Sequence, residues 1–523
     1  MTILDPVTVE VLRHAFEGVA DEMGAVLRRT SYSPNIKERA DCSAAVFSAT
    51  GDLVAQAEHI PVHLGSMPAS VDAALHAYPR LAAGDQVLLN DPWAGGTHLN
   101  DYTLVAPVFQ EDLLLGYVAN RAHHTDVGGM APGSIPAGAT DVFAEGVRVP
   151  PVLLYRGGRV DEGTLRFVAA NSRTPDERRG DLLAQAGANA RGAGRLVELA
   201  QTHGAQTLSD ANAALADYAE ARVAAALEVL PRGEWTFTDE LDDDGAGAGP
   251  VPIVCTLRIS DEGVVVDFTG SAAQSRGGVN AVAAVARSAA CFVLRCLVPA
   301  DVPVNEGCWR RLRVIAPEGT VVNARPPAAV GAGNVECSQR MCDAVFGAFA
   351  QAAPDLVGAA SQGTMNNVLV GGVDAAGRPF SYYETIAGGA GAGPWGDGAS
   401  GVHTNMTNTR NTPIEALEHS YPFRAIVYEL REGSGGAGRH HGGDGVVREF
   451  DVLAPHAVVT LMTERRARGP WGLAGGADGA PGRDFVDGER VDAKIVRSVE
   501  GSARVRIETP GGGGWGAPAG ERD

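Results

Sequence analysis

Residues 91 to 101 read DPWAGGTHLND and set His98 three residues ahead of Asp101, behind the glycine pair Gly95 and Gly96. Residues 121 to 129, RAHHTDVGG, supply a second pair, His123 and His124, followed by Asp126 and another two glycines. Two imidazoles and a carboxylate meeting on loops at one end of a sheet form the ligand set of a divalent first-row metal with open positions: iron, manganese or zinc. Open positions imply chemistry rather than a structural role. The glycines let the chain approach such a centre without side-chain obstruction. Asp126 and Glu145, in FAEGVRVPP, are candidates to orient the ligands or add one. Six of the thirteen histidines fall between His59 and His124, and the segment AEHIPVHLGSM contributes His59 and His63.

A metal site on these residues needs an element that folds the two segments together. Between Asp101 and Arg121 the sequence YTLVAPVFQEDLLLGYVAN contains two strand-like runs meeting at QED, the pattern of a hairpin. A centre near Glu111 places position 99 opposite position 123 and returns His123 and His124 beside His98 and Asp101. A slip of one or two residues exchanges the two histidines, so the pattern leaves open which of them joins the site. Upstream, CSAAVFSATGDL reads as a strand, a Thr50-Gly51 turn and a returning strand. Asp5-Pro6 caps a first helix whose apolar stripe is Val9, Leu12, Phe16, Val19, Met23 and Val26.

At 523 residues the chain exceeds what one hydrophobic core usually organises, and the pattern predicts a multi-domain α+β protein. The expected division is 1–174, an N-terminal α/β region with the metal site; 175–232, a helical segment; 233–400, a mixed α/β region; and 401–523, a β-rich C-terminal domain. The helical segment has Leu182, Leu196, Leu199, Leu215, Tyr218 and Leu227 as core anchors. Strands return at Pro252–Ser260 and Val264–Phe268 around DEG. FRAIVYELRE, HAVVTLMTE and ARVRIETP are the strand-like runs of the last region. The terminal TPGGGGWG lacks the context of a phosphate loop and reads as a flexible turn.

The formal charge of −20 argues against a nucleic-acid partner, which needs clustered Lys and Arg. Lys37 and Lys494 are the only lysines, so no Walker phosphate loop can be drawn and any ATP must be bound by another chain. The N-terminus lacks a signal-peptide pattern. Val279 to Val298 is the most apolar long segment, but it contains Arg287 and Arg295 and reads as a core helix. Seven cysteines without a C-x-x-C pair fit reduced thiols. These features predict a cytoplasmic protein with no membrane or nucleic-acid partner.

SPNIKERAD, PVHLGSM, NDPWAGGTHLND, RAHHTDVGG, SQGTMNN, YYETIAGG, GVHTNMTNTRNTP, LREGSGGAG and PWGLAGG, in this order, resemble the recurrent segments of the hydantoinase B/oxoprolinase family. Its relatives include acetone and acetophenone carboxylase subunits. The resemblance implies a metal-dependent catalytic subunit in a hetero-oligomer with an A-type subunit that uses ATP to phosphorylate the substrate. The implied reaction is hydrolytic opening of a cyclic amide, a hydantoin or a lactam. The alternatives are a subunit of an acetone/acetophenone-type carboxylase acting on a ketone, and a non-catalytic scaffold for the A-type subunit. The resemblance also implies manganese, with zinc or iron as substitutes, on His98, Asp101 and His123. His124 and Glu145 are then the expected proton-handling groups, and His59, His63 and Asp126 line the cavity or support the ligands. Three positions depart from the family pattern: Asn405 for histidine, Cys337 for threonine and His441 for arginine.

Overall fold

The computed structural model describes residues 4–57 and 60–518. His59 therefore lies outside the described residues. Helices and largely antiparallel sheets alternate along the chain in an α+β architecture. The site is carried by a seven-stranded antiparallel sheet built from β1 (Cys42–Ser48), β2 (Leu53–Ala57), β3 (Gln86–Leu89), β4 (Asp101–Gln110), β5 (Leu113–His123), β6 (Val152–Arg156) and β7 (Arg159–Val160). Its spatial order is β2-β1-β5-β4-β3-β6-β7, so the β4–β5 hairpin lies at its centre.

The first helix, Pro6–Thr30, begins where expected: the Asp5 carboxylate accepts from Val7 N and Thr8 N. Leu12, Phe16, Val19 and Met23 are buried against β1, β2 and the long helix Pro175–His203, with Val9 at the margin of that cluster. The second helix of the helical segment is Ala205–Glu228. Leu182, Leu196, Leu215 and Leu227 are buried and Leu199 is partly so. Tyr218 is not a core anchor: it is 43% exposed, and its hydroxyl accepts from Arg222 at 2.6 Å. Its long ring satisfies a helical stripe in sequence while the polar tip draws it to the rim. Ala283–Leu297 is a buried helix, and no described helix is long and apolar enough to cross a membrane.

The hairpin register differs from the sequence expectation by two residues: Asp101, rather than Leu99, pairs with His123. Two causes add together. The chain reverses over Glu111–Asp112 with Glu111 at φ 53°, and a bulge between Val108 and Phe109 inserts one further step. The shift brings Asp101 and His123 directly side by side on one face of the sheet.

A second sheet, Gly233–Leu241, Val251–Ser260, Gly263–Asp267 and Leu312–Ile315, is joined to the first by one apolar cluster running from Ile60 to Met462. The C-terminal region stacks the sheet containing Asn367–Val373 and Pro379–Glu384 on the one containing Phe423–Arg431 and Gly445–Val452, with Phe380, Tyr382, Phe423 and Phe450 between them.

Gly511 to Gly514 are not a flexible turn; all four are buried. They pass between loops around Ala390, Gly436, Gly443 and Trp471, hydrogen-bonded through the backbone. A Cβ on Gly512 would fall inside the Ala390 carbonyl. Gly512→Ala is therefore expected to destabilise the protein by about 1–3 kcal/mol, the usual cost of overpacking, seen as an earlier urea midpoint.

Candidate metal centre

Asp101 opens β4, His123 closes β5, and His98 stands on the turn leading into β4, so three local signals converge at one end of the hairpin. One ligand atom from each of His98, Asp101 and His123 lies within 4.8 Å of the others. His98 Nε2 is 3.2 Å and His123 Nδ1 is 3.5 Å from Asp101 Oδ1. The other carboxylate oxygen, Oδ2, accepts from Thr97 Oγ1 at 2.7 Å and lies 3.3 Å from His63 Nε2. His98 Nδ1 is 3.3 Å from the Gly331 carbonyl; donating there leaves the Nε2 lone pair facing Asp101. All three side chains are buried, and Asp101 and His123 line a cavity of about 20 Å³, room for one water or one ion. Two imidazoles and a carboxylate oxygen, with His98 and Asp101 oriented by outer partners, are a donor set that fits a divalent first-row ion.

Electrostatics prepare the same exchange. Burial opposes ionisation of Asp101, but the His98 charge and the hydrogen bonds from His123, His63 and His98 outweigh it and hold the carboxyl well below its usual range. Burial likewise lowers His63 and His123, whereas for His98 the Asp101 charge overcomes burial and raises the pKa. A metal ion binding here competes with protons for these ring nitrogens.

The structure separates the remaining expected residues. His63, on the turn Pro61–His63, joins the cluster and is held from behind by Ser43 Oγ at 2.8 Å. His124 does not join it. Neighbouring residues of an extended chain point to opposite faces, and its ring lies edge-on to Tyr102 with Nε2 2.9 Å from Gln185 Oε1. Burial, then the nearby Arg178 charge, hold its pKa well below the ordinary value, so it is a neutral packing histidine. Asp126 is also elsewhere, tying together Gly128 N, Gly133 N and Arg173.

Glu145 stands behind the site rather than in it. Its Oε1 accepts from Gly331 N at 2.7 Å, and the same residue's carbonyl faces His98. Burial pushes its pKa up to about 7 from an ordinary 4.5. The folded state therefore holds this proton more tightly than the unfolded chain, and the stability it contributes is lost as pH rises from about 4.5 through 7. Metal-free Glu145→Gln protein should lack that loss. Its urea stability relative to wild type should improve between pH 5 and pH 8 by on the order of 2 kcal/mol.

Several cavity groups carry no signal in the local sequence around the histidines. Asp41 Oδ2 lies 4.0 Å from His123 Nδ1, Asn334 Nδ2 lies 3.2 Å from His98 Nε2, and the Tyr383 ring stacks on His123 at 4.6 Å. Asp41 was reachable in principle, because β1 pairs with β5 and Cys42 faces Ala122. The departures lie outside the ligand trio: Asn405 donates to Asp343, Cys337 is buried near the Val321 carbonyl, and the His441 backbone donates to Asp397.

Residues 5–518 match the family model described as hydantoinase B/oxoprolinase. The chain belongs to that family. The 5-oxoprolinase 1 of Arabidopsis thaliana is 38% identical over 98% of the chain, which spans 42% of the plant protein's length. The crystal structure of an ATP-dependent caprolactamase from Pseudomonas jessenii superposes with a TM-score of 0.92 at 29% identity, covering 99% of this chain and 92% of its own. A nucleotide-free acetone carboxylase structure shares the fold, with a TM-score of 0.88 at 18% identity over 98% of this chain and 76% of its own.

Proposed function

We propose that this chain is the metal-dependent catalytic subunit of an ATP-dependent enzyme that opens a cyclic amide, a hydantoin or lactam, after an A-type partner has phosphorylated it. The observation that carries the reading is the convergence of His98, Asp101 and His123 in one buried cluster, two of whose members, Asp101 and His123, line a small cavity. Relatives named for oxoproline and caprolactam support a cyclic amide over a ketone.

An amide carbonyl is a poor electrophile. Transfer of a phosphoryl group to its oxygen makes the carbon attackable by water; the adduct then breaks its C–N bond, the nitrogen leaving with a proton as an amine, and a second water cleaves the resulting acyl phosphate to carboxylate and phosphate. A divalent ion at the cluster, with manganese the first choice, supplies Lewis acidity toward a water or carbonyl oxygen. The chain's own residues do the rest. Thr97 and His63 fix the Asp101 carboxylate, and Gly331, backed by Glu145, fixes the His98 ring. Asp41 lines the cavity and is the carboxylate placed to take a proton there, a role that neither His124 nor Glu145 can fill from its position. Val335, Met365, Met406 and Tyr383 wall the cavity and exclude bulk water.

The test is to co-purify the chain with its A-type partner and assay ring opening by mass spectrometry with ATP and a panel of hydantoins and lactams. A parallel arm supplies ketones and bicarbonate. ATP-dependent ring opening that stops with a chelator and returns with manganese is the expected result. Carboxylation of a ketone instead would move the chain to the carboxylase reading, and full activity without metal would reduce it to a scaffold.

A further inference from the structure

Glu336 lies on the π-helical turn Gly333–Cys337, two residues beyond Asn334, a wall residue of the metal cavity. Such turns concentrate at functional sites because one inserted residue redirects the side chains around it. The Glu336 side chain is fully buried. Its Oε1 accepts from Met365 N at 3.1 Å and from Asn367 Nδ2 at 2.7 Å, while Oε2 has no hydrogen-bond partner.

The buried cations of this region are already matched. Lys494 holds Glu464 at 2.5 Å, Arg340 holds Asp343 at 2.9 Å, and Arg465 holds Asp239 and Asp343 at 2.7 and 2.8 Å. An ionised Glu336 would add an unmatched charge to a fully buried position, so the side chain stays neutral. Burial first, and then the Glu464 charge, push its pKa up to about 8.

Glu336 also sets the direction of an amide. Asn367 Nδ2 donates both to Glu336 Oε1 and to the Met462 carbonyl, the latter at 2.7 Å, which turns Asn367 Oδ1 toward Tyr383. The Tyr383 hydroxyl donates to that oxygen at 2.9 Å. The Tyr383 ring then lies nearly parallel to His123, with centroids 4.6 Å apart and an interplanar angle of 13°.

We infer that Glu336 is a positioning residue for the metal centre: through Asn367 it anchors the Tyr383 phenol, and the Tyr383 ring fixes the plane of the His123 imidazole. The inference rests on His123 being a metal ligand, as proposed above. Outer partners of this kind govern ligand alignment, and their loss costs about 10–100-fold in metal affinity.

Manganese titration of the full chain, on wild type, Glu336→Ala, Glu336→Gln and Tyr383→Phe, tests it. The Ala and Phe variants are expected to bind manganese about 10–100-fold more weakly. Gln presents a carbonyl to the same two donors without a charge and should stay within about 3-fold of wild type. Wild-type affinity in a folded Glu336→Ala protein, or a Gln variant as weak as Ala, overturns the inference. If the wild type binds no manganese, the metal reading fails, and metal-free crystal structures decide the rest. Tyr383 displaced from His123 in Glu336→Ala, or in Tyr383→Phe a displaced ring, upholds the anchoring chain; rings left in place refute it.

Discussion

Asp101→Asn protein is expected to carry metal only at background level and to lose ATP-dependent turnover by about 100-fold or more, since a ligand matters at least as much as its outer partners. The substitution is chosen for its shape. Asn fills the same volume and can still accept from Thr97, which lies 2.7 Å from one carboxylate oxygen, so the fold is retained. What disappears is the negative charge between His98 and His123, at 3.2 and 3.5 Å from the other oxygen. Inductively coupled plasma mass spectrometry alongside a melting curve separates loss of metal from loss of fold. Stoichiometric metal in a folded Asp101→Asn protein would remove the trio from consideration. His98→Ala should behave alike but with some loss of stability, because it also leaves the Gly331 carbonyl without its partner.

Arg465→Ala is expected to lower stability by about 3–5 kcal/mol, the cost of stripping one partner from a buried ion network. The guanidinium joins Asp239 at 2.7 Å and Asp343 at 2.8 Å, and Arg340 shares the same two carboxylates at 3.5 and 2.9 Å. Removing Arg465 leaves two buried carboxylates with one cation. The network joins the strand Gly233–Leu241, the helix Ser338–Ala352 and the loop after His456–Met462, so three chain regions should loosen together. Arg504→Ala is the control. Its partner Asp451 is at 2.8 Å but the Arg504 side chain is half exposed, and the expected change is below about 1 kcal/mol. Urea denaturation of both variants checks the contrast; equal midpoints would show that the buried network contributes little.

The sequence by itself determined the family and the elements whose periodicity is local. The capped first helix, the Cys42 strand and its return, the hairpin between Asp101 and Arg121 and the helix within 279–298 all follow from spacing over a few turns or pleats. The grouping of His98 and Asp101 with a histidine of the 123–124 pair was legible for the same reason, since a hairpin joins its ends whatever its turn. Which histidine belongs followed from the family resemblance and not from the hairpin pattern: a one-residue change of register reverses every side chain, and the two-residue turn with its bulge pairs His123 with Asp101.

Only the tertiary structure placed Glu145 behind Gly331, sent His124 to Gln185, and brought Asn334, Met365 and Tyr383 around the cavity. Asn334, Met365 and Tyr383 lie more than 200 positions from the hairpin. Their approach is set by how the sheets and the Ser338–Ala352 helix pack, and no local period encodes that. The glycine run at 511–514 makes the same point. Its composition permits a loose turn, and burial between the neighbouring backbone loops makes it part of the interior.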